Sequence, residues 1–185
     1  MKGVVFTEFL QMVESRFGAD VADGLFEAGG LASGGAYTAV GAYDAGELVL
    51  LVGRLSERVG MPAAALVRAF GRYLFGRFAV LYPGLFAGVA SAFDFLDRVD
   101  GVIHVEVRKL HPQASLPRFE TRRTGHGGME MIYRSQNPFA DLAEGLIEGC
   151  GEHFGEAIGI RWEPLEGPEG HAVRFILTTR AAVPA

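Results

Sequence analysis

One cysteine, Cys150, stands in 185 residues, so no internal disulfide can form, and such poverty in cysteine fits a reducing compartment. Its apolar helical surroundings mark the thiol as buried and inert. No stretch reaches the roughly 18 uninterrupted apolar residues of a membrane span. The opening residues Met1-Lys2-Gly3-Val4-Val5-Phe6-Thr7-Glu8 carry charge inside their apolar run and lack a small-residue cleavage pattern, so they do not read as a secretory signal. Positive charge is short as well: 17 Lys and Arg against 22 Asp and Glu leave a net charge of -5. The basic residues are scattered except for Arg118, Arg122, Arg123 and the later Arg134, which read as a solvated turn. No electrostatic basis for binding nucleic acid remains. These absences describe a soluble, cytoplasmic chain that binds neither membrane nor nucleic acid.

Apolar side chains are abundant, at 49% with 14 Phe, enough for a substantial core in a single domain spanning 1–185. The 26 Gly fall between periodic segments or inside helical ones, which assigns them to turns and close packing. Val5, Phe6, Phe9, Leu10, Val13 and Phe17 recur at helical spacing and predict a helix over about 4–17 that Gly18 stops. A short helix over about 19–28 closes at Gly29-Gly30, and residues 29–42 form an irregular loop. No lysine follows that loop and no strand precedes it, so it is no phosphate-binding loop. Asp44 and Glu47 have capping-box spacing before a helix that runs to Gly60. Pro62 suits the first turn of the next helix, which Pro83 ends. Phe86, Val89, Phe93 and Leu96 mark a further helix to about Arg98. Arg118–Arg123 and Met129–Ser135 read as strands joined across Gly125–Gly128. Pro138 opens a long helix through Phe154, and Ile158–Glu163 and Ala172–Thr179 form a second strand pair around Gly167–Gly170. Helices first, then an antiparallel sheet with an interposed helix, is an α+β arrangement.

Chemistry concentrates in two stretches. Ile103-His104-Val105-Glu106-Val107-Arg108-Lys109-Leu110-His111-Pro112 sets one imidazole in an apolar segment. Met129-Glu130-Met131-Ile132-Tyr133-Arg134-Ser135 later offers a phenol and a hydroxyl on one strand face. A neutral imidazole is the commonest protein ligand for a metal, and nearby hydroxyls can hold carboxylates. Together they point to a flat, apolar, acid-bearing cofactor with a metal at its centre, which describes haem. The His104 segment itself fits two structures. Its β-branched residues favour a strand, whereas Ile103, Val107 and Leu110 also make a helical stripe.

Blander readings stand beside these. A lone histidine among aliphatics is usually a core or surface residue, Tyr133 and Ser135 on a strand are usually cross-strand neighbours, and Pro117 is as readily an edge-strand proline. His111, His126, His153 and His171 lack metal-cage spacing. Glu144 and Glu148 are an i,i+4 pair that reads as a solvated face. No Ser–His–Asp or Cys–His arrangement is evident, so no enzyme is expected, and a catalytic role for Glu144 or His111 has no support.

In order and spacing the chain resembles the haem nitric oxide/oxygen binding (H-NOX) family. The likeness runs from Met1-Lys2-Gly3 through Phe78, Tyr82-Pro83, His104, Leu110-His111-Pro112, Leu116-Pro117-Arg118-Phe119 and Gly145-Leu146-Ile147-Glu148-Gly149 to the last hairpin. It implies a distal helical subdomain over about 1–60 and a proximal part over about 61–185. The first would pack on the antiparallel sheet, with haem b (iron protoporphyrin IX) between the two. It makes His104 the iron ligand on a helix, Pro117 the residue that presses on the haem, and Tyr133 and Ser135 two members of a Tyr-x-Ser-x-Arg motif that binds the propionates. Phe78 and Leu146 would touch the cofactor, and Val5, Phe9, Leu74, Phe78 and Leu142 would line an apolar ligand pocket.

The resemblance further implies a sensor of NO and CO. Bound O2 needs a hydrogen-bond donor, and the position of the donor tyrosine in O2-binding members matches Leu142. NO would weaken the iron–His104 bond and free the histidine's helix, a two-state element biased by ligand. The output would pass to a histidine kinase or a cyclic-di-nucleotide enzyme. One position departs from the family: residue 137 is Asn instead of Arg, which replaces a charge-assisted clamp with at most a neutral hydrogen bond. Arg134 would point away from Tyr133 and Ser135. A haem-free interaction module, or a domain for another apolar ligand, is the alternative that Asn137 keeps open.

Overall fold

The computed structural model describes residues 1–110, 115–125, 127–166 and 170–180. Helix α1 (Gly3–Phe17) buries Phe6, Phe9, Met12 and Val13 and stops at Gly18, whose φ of 94° suits a residue without Cβ. Helix α2 (Ala19–Gly24) is shorter than the 19–28 expected. Past its end the Arg54 guanidinium donates to the carbonyls of Leu25, at 2.6 Å, and Gly29, so those acceptors have partners without a longer helix.

Helix α3 (Ala45–Val59) begins where the Asp44 carboxylate accepts from Gly46 N at 2.6 Å and ends at left-handed Gly60. Helix α4 (Ala63–Leu81) follows Pro62, and Tyr82-Pro83 turns the chain into a single 3-10 turn. The helix expected over 86–98 begins only at α5 (Ala92–Arg98), because Gly88 at φ 69° breaks the path and the Ser91 hydroxyl caps Asp94 N. A π-helical turn (Val99–Ile103) then leads into α6 (His104–Leu110). The His104 segment is helical despite its β-branched residues, as the family resemblance implied.

Strands β1 (Arg118–Thr124), β2 (Gly128–Ser135), β3 (Ala157–Leu165) and β4 (His171–Arg180) form one antiparallel sheet in the order β1-β2-β4-β3, with helix α7 (Ala140–Phe154) between β2 and β3. Alternation sends Met129, Met131, Tyr133, Val173, Phe175 and Leu177 to the face that Ala143, Ile147 and Cys150 of α7 cover. The other face pairs Arg122 with Glu130 at 2.8 Å, Arg174 with Glu163 at 2.9 Å and Arg134 with Glu120 at 3.6 Å. The α+β architecture of helical part and sheet is therefore the one the sequence describes.

Two apolar cores share this frame. One gathers α1, α3 and α4 with Phe139 and Leu142, and so extends well past residue 60. The other lies between α5, α7 and the sheet. Helices α4 and α7 belong to both, Leu74 and Leu142 facing one core while Phe75, Ala143 and Ile147 face the other, and Leu146 packs against each.

Glycine lets α4 and α7 approach this closely. A Cβ on Gly145 would strike the Arg68 carbonyl, and one on Gly71 the Leu142 carbonyl. Arg68 also bridges to Glu148 and, at 3.2 Å, to Glu144. Glu144 is buried instead of solvated, and it accepts a second bond from Trp162 Nε1 at 3.1 Å.

Candidate functional site

His104 opens α6 with its side chain only 12% exposed. Burial lowers its pKa from the ordinary 6.5, opposed by a bond to Asp100 and by the Pro117 carbonyl, so the ring is neutral at pH 7. Nδ1 lies 3.4 Å from Asp100 Oδ1, and that oxygen also accepts from Phe119 N at 3.3 Å. A carboxylate that binds one ring nitrogen fixes the ring's tautomer and orientation and leaves the other nitrogen for a metal. Phe119 stands 5.7 Å from the His104 ring and 5.5 Å from the Tyr133 ring, centroid to centroid. The two stretches singled out in the sequence thus meet through one aromatic neighbour. Asp100 was not anticipated. An acidic residue one helical turn before the histidine was the available signal, and the π-helical turn between them hid it.

Tyr133 is 2% exposed and its hydroxyl donates to the Asn137 carbonyl at 3.3 Å, while the Asn137 N–H donates to Ser135 Oγ at 3.0 Å. Burial raises the Tyr133 pKa, so the phenol stays protonated at neutral pH. The backbone of Asn137 therefore ties the two hydroxyls together. Arg134 lies on the opposite face, paired with Glu120, as alternation requires. Pro117 precedes β1 instead of lying within an edge strand.

The apolar residues also converge. Phe9, Leu74 and Leu142 are buried in the helical core, with Val5, Phe78 and Leu146 packed against it. Phe9 meets Phe70 edge-on at 5.2 Å, and Phe78 lies 5.9 Å from Tyr82. No polar side chain is among these six. Beside them the Arg77 guanidinium clasps Glu8, itself only 6% exposed, through bonds of 2.6 and 3.2 Å that tie α4 to α1.

The remaining candidates lie elsewhere. Cys150 is fully buried, its Sγ 3.6 Å from the Ala92 carbonyl, and burial pushes its pKa up. His153 is exposed beside the rings of Phe75, Phe86 and Phe154. His111, Pro112, His126 and the Gly167–Glu169 turn lie outside the described residues. Among the described residues no group of three His, Cys, Asp or Glu is placed to hold a metal ion, and no helix is long and apolar enough to cross a membrane.

A donor set of one neutral, carboxylate-backed imidazole suits a metal whose remaining ligands come from a macrocycle. Two buried or half-buried hydroxyls and an apolar wall suit that macrocycle's acid edge and its faces. The residues fit haem. Residues 2–162 match the Haem-NO-binding family model. The chain is similar to the Fe(II) unliganded H-NOX protein of K. algicida, at 32% identity and TM-score 0.92 with all of both chains covered. The H-NOX protein of S. oneidensis in the Fe(II)NO state aligns at 26% identity and TM-score 0.89, over 98% of this chain and 100% of that one. The IWP-051-bound H-NOX of Shewanella woodyi in the Fe(II)CO state aligns at 42% and 0.82, over 100% and 97%. No curated protein matches the sequence. The chain belongs to the Haem-NO-binding (H-NOX) family, a family of haem-binding gas-sensor domains.

Proposed function

We propose that the domain senses NO, and also CO, at ferrous haem b ligated by His104, discriminates against O2, and passes the signal to a partner protein. The observation that carries this reading is the neutral, largely buried His104 ring held by Asp100 and linked through Phe119 to Tyr133. Ferrous haem, when bound, would supply an iron that takes a diatomic ligand. The chain's own residues do the rest. His104 presents one ring nitrogen while Asp100 fixes the other. Tyr133 and Ser135 would hold the propionates, and Pro117, Phe78 and Leu146 would bear on the cofactor. Val5, Phe9, Leu74, Phe78 and Leu142 exclude water from the ligand side and offer no donor to a partly negative bound O2.

NO and CO complexes of the S. oneidensis and S. woodyi proteins support the ligand class. Release of His104 would be read through α6 and the π-helical turn, which meets the sheet at the Asp100–Phe119 bond and through packing of Val99 and Ile103. A histidine kinase or a cyclic-di-nucleotide enzyme is the proposed recipient, by family analogy.

The test is an absorption spectrum of the reduced protein under argon, CO, NO and air. Complexes with CO and NO and none with air are expected, and Leu142→Tyr should gain an oxy spectrum. A stable oxy form of the wild type would contradict the discrimination. The pairing of both hydroxyls with the Asn137 backbone favours a second reading, a haem-free module. A folded protein that stays colourless after haem-supplied expression would establish it.

A further inference from the structure

Asn137 removes the cation that the family places at the cofactor's acid edge, and its backbone is occupied with Tyr133 and Ser135. Register shows what stands there instead. Ser135 pairs directly with His171 at the start of β4, just as Tyr133 pairs with Val173 and Met131 with Phe175. Directly paired antiparallel residues share a sheet face, with Cβ atoms about 5 Å apart. Tyr133, Val173, Met131 and Phe175 are all buried on the inner face, so Ser135 and His171 continue that row to its exposed end. The approach is enforced locally. Gly170 has φ 73° and lies so near the Ser135 carbonyl that a Cβ there would collide with it.

Three nearby cations in the sequence point elsewhere. Arg134 pairs with Glu120 on the outer face, Arg118 is register-paired with Arg134 on that same face, and Lys109 pairs with Glu106 on α6.

We propose that His171 is a cofactor-positioning residue, donating a ring N–H to a haem propionate beside Ser135 in place of the missing arginine. The inference rests on the haem reading above. An imidazole N–H is a directional donor in either protonation state, so it can take a carboxylate oxygen without a guanidinium.

The test uses purified apo protein reconstituted with iron protoporphyrin IX or with its dimethyl ester, which lacks the carboxylates. Loss of the cofactor to excess apomyoglobin is followed at the Soret band. His171→Ala should lose protohaem about three- to tenfold faster than wild type, the effect of one hydrogen bond, and should match wild type with the dimethyl ester. Adding Asn137→Arg to His171→Ala should restore retention. His171→Leu, closer in volume, repeats the comparison if the alanine variant is unstable. Equal protohaem loss, or equal acceleration with the ester, overturns the assignment while the wild-type Soret band leaves the haem reading standing. A wild type with no Soret band overturns both.

Discussion

The two sides of the proposed cofactor site are built differently. The ligand side is a welded wall. Its apolar residues ride on α1, α4 and α7, and α4 and α7 touch backbone to backbone at Gly71 and Gly145 while Arg77 clasps buried Glu8. The histidine side is built on shorter elements. Among the described residues, a π-helical turn and the seven residues of α6 reach the sheet through one hydrogen bond, in which Asp100 Oδ1 accepts from Phe119 N at 3.3 Å, and through packing of Val99, Ile103 and the His104 ring. A rigid wall filters ligands by shape and polarity, whereas a lightly held one can move when its anchor lets go. The division matches what a sensor needs, because packed cores resist displacement and short, weakly tethered segments do not.

Substitutions can break each side separately. Gly145→Ala should have the largest effect, since a methyl against the Arg68 carbonyl forces α4 and α7 apart. Overpacking of this kind costs about 3 kcal/mol, to be read as a large fall in Tm of the apo protein. An unchanged Tm would show that the wall is not close-packed there. Asp100→Ala should leave the fold largely intact but cost about tenfold in haem retention, the usual scale for loss of a carboxylate that orients a metal-bound histidine. It should also raise the reduction potential, because a ring that loses its carboxylate partner donates less to ferric iron. Equal retention and potential in the variant would remove Asp100 from the site.

Much of the fold was legible because its signals are local. Asp44 and Gly60 bracket α3, Gly18 stops α1, and strand alternation put Tyr133 and Arg134 on opposite faces. The misses share a cause, which is that the partner is distant in sequence. Glu144 read as a solvated residue, yet Arg68 and Trp162 enclose it from two other elements. Glu47 sits where a capping-box residue would fold back on its own helix, but it turns to the 29–42 loop instead. There Ser33 N and Oγ, at 3.2 and 2.5 Å, and Tyr37 Oη, at 2.6 Å, bind its carboxylate. His104 and Tyr133 could be named from the family pattern, whereas Asp100 needed its bonds to His104 Nδ1 and Phe119 N to reveal its place.

The Glu47 clasp yields the smallest effect, confined to the ligand side. Burial opposes the ionised carboxylate, but the Ser33 and Tyr37 bonds outweigh it and hold its pKa below the ordinary 4.5. Its stabilisation is therefore complete above pH 4.5 and is lost as pH falls through the lower folded value. Burial and the bond to Glu47 push Tyr37 up to about 12, so its share persists below pH 10 and is lost as pH rises toward 12. Glu47→Gln should lower stability by about 1 kcal/mol at neutral pH and flatten the acid limb of the denaturation curve. Parallel acid limbs for both proteins would show that the loop is held without the Glu47 carboxylate, by contacts such as the Phe6–Tyr37 stack, with centroids 4.6 Å apart, and the Thr38 N–Tyr43 Oη bond.

The most direct measurement is the visible spectrum of His104→Gly, expressed with haem and reduced, before and after free imidazole is added. The account predicts a Soret band in the wild type that is absent or shifted in the variant and returns with imidazole. A His104→Gly protein that holds haem with the wild-type spectrum and ignores imidazole would contradict it.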